Sequence, residues 1–406
     1  MSSSKAPQRA AWPIVTLADV ADQCLGKMLD SKKNKGRLQP YLANPNVRWF
    51  AVDTSNVKLM PFEAHEEERY GLRAGDVVIC EGGEAGRAAI WDGRVPGMKF
   101  QKAIHRVRPR EALDARFLVH RLLADFQSGR LNDYYTGATI KHFTGQDLAR
   151  YRFPLPPICE QRRIAAILDQ SDNLRSQRRR TLALLDNLEQ SLFLHLFGDP
   201  IANERGWKKG SVSDFVAGFE SGKSLVADDE DGSGSAFRVL KISAVTSLQF
   251  RADQSKALPT GYMPPESHMV RAGDLLFSRA NTTELIGATA FVHEAPNYLV
   301  LPDKLWRFVW HHPARVAPLY VRQLFRQPML RHEIGQRASG TSGSMKNISK
   351  EKVLSIPLGL PPLELQLDFA TRIHAIEALK AKHRASLAHL DALFASLQHR
   401  AFRGEL

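Results

Sequence analysis

Several short stretches carry residue types that could do chemistry. Gly222-Lys223-Ser224 has the ending of a phosphate-binding loop. That motif needs a glycine five residues before the Gly-Lys pair, and position 217 is Ala. Gly26-Lys27 stands in a matching context and is followed by Met28. A repeated Gly-Lys reads more simply as a turn whose lysine could reach a phosphate. Asn44-Pro45-Asn46-Val47 has part of the Asn-Pro-Pro-aromatic pattern of amino-methyltransferases, without its second proline or its aromatic residue. Asp76 and Glu81 could serve as nuclease carboxylates, but no Glu-x-Lys follows at a useful spacing. Arg73-Ala74-Gly75-Asp76 is better read as a turn into a strand. No histidine pair has metal-ligand spacing, and Cys24, Cys80 and Cys159 are scattered. We therefore assign no catalytic residue and no metal ligand.

Basic loops are the stronger signal. Lys32-Lys33-Asn34-Lys35-Gly36-Arg37 is cationic, and Tyr41, Asn44 and Arg48 follow it. Further along come Lys141, then Arg279, Asn281 and Thr282, then Ser344, Lys346 and Asn347. Lysine and arginine neutralise phosphates, while Arg and Asn side chains can pair with base edges. With Lys27 and Lys223 these residues form the candidate DNA-binding set; the plain alternative for each is a solvated loop. The chain has 406 residues and a net charge of +13, which favours a polyanion over a membrane surface. No apolar run approaches the roughly 18 residues that span a bilayer. The polar start, residues 1–11, reads as a disordered tail, and cysteine usage suits a reducing, cytoplasmic setting.

The elements that must position these residues occur twice. Trp12 opens WPIVTLADVA and Trp207 opens WKKGSVSDFVA. Arg-Ala-Gly-Asp at 73–76 recurs at 271–274, and the Gly137–Lys141 stretch recurs before Lys346. The period is close to 200 residues, which means two large copies. The expected short strands are 15–20, 47–52, 76–80, 88–91 and 103–107 in the first copy, with a helix at 117–126. In the second they are 237–242, 274–278, 288–292 and 305–310. Strands and helices do not alternate in βαβ order, so the fold class is α+β.

Each copy ends in a long segment free of Gly and Pro: Ile158–Phe197 after Pro156-Pro157, and Leu363–Arg403 after Pro361-Pro362. Ile164, Ile167, Leu168, Leu174, Leu182, Leu185, Leu188, Leu192 and Leu196 suggest an apolar stripe on the first. On the second, positions 373, 376, 380, 383, 387, 390, 394 and 397 alternate by three and four, as a coiled-coil seam does. Connectivity makes the pair antiparallel. The expected domains are a first head at 12–157, a helix at 158–198, a linker at 199–206, a second head at 207–360 and a helix at 361–406. Arg175 aligns with Lys380 and Arg178 with His383, so the seam carries cations. Together with Arg179 these are the candidate docking residues for a partner subunit.

The pattern as a whole resembles the specificity (S) subunit of type I restriction-modification systems. The resemblance runs from Trp12 to Leu406. It rests on LPPICEQRRIAAILD, its echo PPLELQLDFATRI, the QHRAFRGEL ending, the GDVVI and GDLLF strands, and GATIKHFT and GSMKNIS. Leu365 stands where the first copy has Glu160. The resemblance implies two target-recognition domains, each reading half of a split double-stranded DNA sequence. It implies a helical spacer that docks two modification (methyltransferase) subunits, with restriction (motor-nuclease) subunits completing the complex. S-adenosylmethionine, ATP and Mg are then expected on those partners, with none bound by this chain. A self-contained methyltransferase or nuclease, or a coiled-coil protein adaptor, are the alternatives.

Overall fold

The computed structural model describes residues 12–30, 32, 34–137, 139, 141–224, 236–311, 316–340 and 345–406. The tail 1–11 and the candidates Lys33 and Ser344 lie outside that set. The chain divides into two compact units: one runs to Arg178 and takes in Ser386–Leu406, the other is Arg179–Ala385. Each unit therefore holds one head and a part of both long helices.

The strand pairing of the main sheets is the same in both units. In the first, a four-stranded antiparallel sheet has the order Ala21–Leu25, Ile104–Pro109, Val77–Cys80, Ala88–Ile90. In the second the order is Val216–Ser221, Leu305–Trp310, Leu275–Ser278, Thr289–Phe291. Even the register repeats, with Ile104 opposite Cys80 and Leu305 opposite Ser278. A second sheet sets Arg37–Leu42 antiparallel to Lys58–Phe62 and parallel to Lys99–Phe100. Its counterpart sets Arg238–Leu240 against Ser255–Ala257 and Leu299–Val300. A small ribbon closes each head, Ile14–Thr16 with Arg152–Pro154 and Lys208–Ser211 with Pro357–Leu360. The architecture is α+β.

One face of each large sheet is covered by a head helix, Ala115–Gln127 or Pro318–Leu324. Phe117, Leu118 and Leu122 pack with Val77, Ile79 and Val107; Leu324 and Phe325 pack with Phe277 and Phe308. The long helices, Ile158–Phe197 and Leu363–Ala401, complete both cores. Leu168, Phe394 and Ala401 join the first, and Phe193, Phe369 and Ile373 the second. The helices run antiparallel within each unit: Arg163 reaches the Leu406 carbonyl while Arg175 meets Asp391, and Phe193 packs on Phe369 while Glu189 meets Lys380. Among the described residues, no helix is long and apolar enough to cross a membrane.

Several expectations are revised. The strand expected at 15–20 breaks after Thr16, because the Asp19 carboxylate accepts the Thr16 N–H at 2.8 Å and starts a one-turn helix. Ser211 and Asp214 repeat that bond at 2.8 Å. The strand expected at 47–52 is a tight hairpin of Val47–Arg48 and Ala51–Val52, turned through Phe50 at φ 63°. Arg37–Leu42 and Lys58–Phe62 are strands beyond those expected, since Pro40 and Pro61 break the strand signal in the sequence without breaking the pairing. Leu174 and Leu188 are exposed. The seam passes instead through Gln161, Ile164, Leu168, Ser171, Arg175, Arg178, Leu182, Leu185, Glu189, Leu192 and Leu196, a strict three-four alternation that tolerates polar members.

Candidate nucleic-acid interface

The Arg-Ala-Gly-Asp turns place the central strand of each head. Gly75 and Gly273 sit at φ 93° and 94°, where a side chain would be strained. Asp76 accepts the Arg73 N–H at 2.7 Å and pairs with both ends of the Arg108 guanidinium at 2.7 and 2.8 Å. Asp274 accepts the Arg271 N–H at 2.9 Å and pairs with Arg307 at 3.3 Å. Burial raises the Asp274 pKa, against the pull of the Arg271 N–H and of Arg307. These carboxylates are turn anchors. Among the described residues, no group of three or more His, Cys, Asp or Glu could hold a metal ion.

The loop that leaves the central strand meets a second loop at the same place in both heads. In the first head, Phe143 N–H donates to the Glu81 carbonyl at 2.7 Å; in the second, Ile348 N–H donates to the Arg279 carbonyl at 3.1 Å. His105, whose pKa is lowered by burial, bonds the Phe143 carbonyl at 2.9 Å and steadies the first junction. Around it, Asn44 donates to the Gly82 carbonyl at 2.7 Å and accepts from Arg87 at 2.6 Å. Lys141 is exposed, bonded to Asn132 at 2.7 Å and 5.6 Å over the Tyr135 ring. It borders a recess of about 320 Å³ with Gly83 and Tyr135. Burial pushes the Tyr135 hydroxyl up to about 12, so it remains a donor, here to the Ala85 carbonyl at 2.6 Å.

In the second head the two loops pair as a short ribbon, Ala280 opposite Asn347 and Asn281 opposite Lys346. Thr282 N–H donates to the Asn281 side chain at 2.9 Å. Arg279 bonds the Asp303 carbonyl at 2.8 Å. Beside it lies a groove of about 470 Å³ bordered by Lys223, Lys241, Lys256 and Lys304. The last three come from separate elements and form no run in the sequence, so a reading based on local charge clusters passes over them.

The other candidates scatter. Lys32, Lys35, Arg37 and Arg48 are exposed in the first head. Lys27 and Tyr41 are interior. The Lys27 ammonium ion-pairs with Glu66 at 2.5 Å, bonds the Pro61 carbonyl at 3.0 Å and lies 4.9 Å over Phe62. The Gly-Lys repeat is a place where backbones touch: a Cβ on Gly26 or Gly222 would sit 2.3 Å or 1.6 Å from a neighbouring carbonyl oxygen. Of the docking candidates, Arg175 pairs with Asp391 at 2.6 Å and Asp172 at 2.8 Å, and lies 4.3 Å over Phe394. Lys380 is buried, held by Glu189 and Asp186 at 2.6 Å each, and so is no surface contact. Arg178, Arg179 and His383 also have partners.

Comparison with known proteins places this architecture. A family model described as the type I restriction modification DNA specificity domain matches residues 10–184. The EcoKI specificity subunit of Escherichia coli (strain K12), a type I restriction enzyme subunit, is 22% identical over all of this chain and 91% of its own length. The MjaVIII specificity subunit of Methanocaldococcus jannaschii is 22% identical over 91% of this chain and 86% of its own. The crystal structure of a type I restriction-modification S subunit from M. genitalium shares the fold, with a TM-score of 0.57, 14% identity and 98% of each chain covered. A structure described as concerning complex assembly and conformational transition of the type I R-M system gives 0.55, at 18% identity over both whole chains. The repeated heads, the paired long helices and these matches agree: residues 10–184 match the type I restriction modification DNA specificity domain, and the whole chain is similar to specificity subunits of type I restriction enzymes.

Proposed function

We propose that each head reads one half of a bipartite double-stranded DNA target, and that the paired long helices set the unread gap between the halves. The observation that carries this reading is the duplicated loop junction, Asn44, Gly82 and Lys141 in one head and Asn281, Lys346 and Asn347 in the other. Each offers a cation for phosphate beside amides that can pair with base edges. Lys32, Lys35, Arg37 and Arg48 in the first head, and Lys223, Lys241, Lys256 and Lys304 in the second, add phosphate contacts.

The long helices dock two modification subunits. Exposed leucines support that role: Leu174 and Leu393 in one unit, Leu184, Leu188 and Leu379 in the other. Each unit thus presents apolar side chains on its share of the helices, which suits one partner subunit per unit. Restriction subunits join this assembly. S-adenosylmethionine, ATP and Mg are used by the partner subunits.

The test is the methylated sequence in a host that carries this chain with its modification subunits. Two short specified sequences separated by an unspecified stretch are expected. A continuous recognition sequence would overturn the reading.

A further inference from the structure

We propose that Glu189 is a positioning residue for gap length: its buried carboxylate seats the second head on the long helices, and that seat sets the number of unread base pairs. The inference rests on the two-headed reading above and goes beyond it, because it assigns part of the target's specificity to a residue remote from any base.

Glu189 lies on the first long helix and is 1% exposed. One carboxylate oxygen meets Lys380 of the second long helix at 2.6 Å; the other meets Arg322 of the head helix at 3.1 Å. Lys380 and Arg322 are themselves 1% and 2% exposed. One side chain thus ties three elements together in the interior of the second unit.

The neighbouring seam residues cannot do the same. Leu185, Leu192, Ile373 and Ile376 are aliphatic, so a slide by a turn or a heptad replaces one hydrocarbon contact with another. The same slide would set Lys380 against leucine and part the buried Lys380 from Glu189. Single polar layers of this kind are how coiled coils choose one register. Phe193 and Phe197 do pack on Tyr320, which gives adhesion but not a unique setting. On the other side of the cluster lies a cavity of about 240 Å³, bordered by Phe250, His293 and Arg326, so that side is not closely packed.

The first unit has the same layer with different chemistry. Lys380 corresponds to Arg175 and Glu189 to Phe394 across the internal repeat. There Arg175 lies over the Phe394 ring and reaches Asp391 and Asp172 near the surface. The buried lysine–glutamate–arginine cluster belongs to the second unit's layer; the first head helix meets its long helix elsewhere, through Arg116 and His120 on Asp169 at 3.0 and 2.9 Å.

The test uses the whole chain with its modification subunits. In Glu189→Leu/Lys380→Met the first long helix loses the ties of Glu189 to Lys380, Arg322 and Arg326 and that of Asp186 to Lys380, while Arg322 keeps Glu377 at 2.9 Å. Sequencing of methylated host DNA should show both half-sequences unchanged. Targets with a gap one base pair longer or shorter should gain methylation by about tenfold or more over the parent. If the double variant does not accumulate as folded protein, Glu189→Gln, which keeps the shape, is read in the same way. A single unchanged gap in folded variants would overturn the proposal and leave the two-headed reading standing. A change in either half-sequence would also overturn it. A parent target without a gap would overturn both.

Discussion

Gln161 and Gln366 hold the same post in the two halves of the chain. Each donates its side-chain amide to a proline carbonyl five residues earlier, Pro156 at 2.8 Å and Pro361 at 3.0 Å. Each accepts, through its amide oxygen, the backbone N–H at the start of its head helix, from Asp114 at 2.8 Å and Ala317 at 3.3 Å. Both are buried, so water cannot take their place. One side chain joins the first turn of a long helix to the first turn of a head helix.

Gln161→Leu should therefore cost roughly 2–3 kcal/mol, because it strands the Asp114 N–H and the Pro156 and Ala112 carbonyls in the interior. Gln366→Leu should cost less, about 1–2 kcal/mol, since its bond to Ala317 is longer and it strands fewer partners. Urea unfolding measures both. Equal losses would contradict the argument.

Acid should weaken the second unit through Glu377. Burial alone would raise its pKa, but Arg322, with Lys380 and Arg384, outweighs burial and holds it down to about 2. The folded value lies below the ordinary 4.5, so the charged group favours the fold above 4.5 and that contribution disappears as pH falls towards 2. Glu189 works in the opposite sense: burial raises its pKa despite Arg322 and Lys380. Glu377→Gln should lower stability at pH 6 by ~2 kcal/mol and flatten the loss between pH 4.5 and 2. Unfolding free energies across that range provide the check.

Contacts to phosphate and contacts to bases should separate by mutation. Lys346→Ala or Lys141→Ala should weaken DNA binding for every sequence and reduce the slope of log affinity against log salt by about 1. Asn281→Ala should relax base preference in one half-sequence only, at about 1–3 kcal/mol. Binding titrations at several salt concentrations, against targets altered in each half, distinguish the two classes.

Removing residues 176–182 together with 381–387 takes one heptad from each long helix and keeps the seam in phase. The helices shorten by about 10.5 Å, close to three base pairs at about 3.4 Å each. The methylated target should keep its half-sequences and lose about three base pairs of gap. An unchanged gap would mean that the helices are not its measure.

Much of this architecture is legible in the sequence itself. The repeat and the two long helices follow from spacing, because heptads and glycine-proline punctuation are local signals, and the antiparallel sense follows from connectivity. The three-stranded sheets are not legible there. They depend on parallel pairings such as Arg238 with Leu299, and on strands that contain Pro40 or Pro61. At the candidate interface, charge alone does not tell an outward lysine such as Lys141 from Lys27 or Lys380, whose ammonium groups are turned to carboxylates. The Gly82 loop has no cationic run to draw notice, although aligning Glu81 with Arg279 across the repeat points to it.

The composition of the first unit has a consequence for biosynthesis. Its core includes Phe394 and Ala401, packed with Phe117 and Leu168. Those two residues are translated only after the whole of the second unit, Arg179–Ala385, has been made. The domain that leaves the ribosome first is thus finished after its neighbour, and must wait with part of its apolar surface open. A chain stopped before Ser386 would carry a complete second unit and an unfinished first one, which makes that interval a natural point for chaperones to hold the nascent protein.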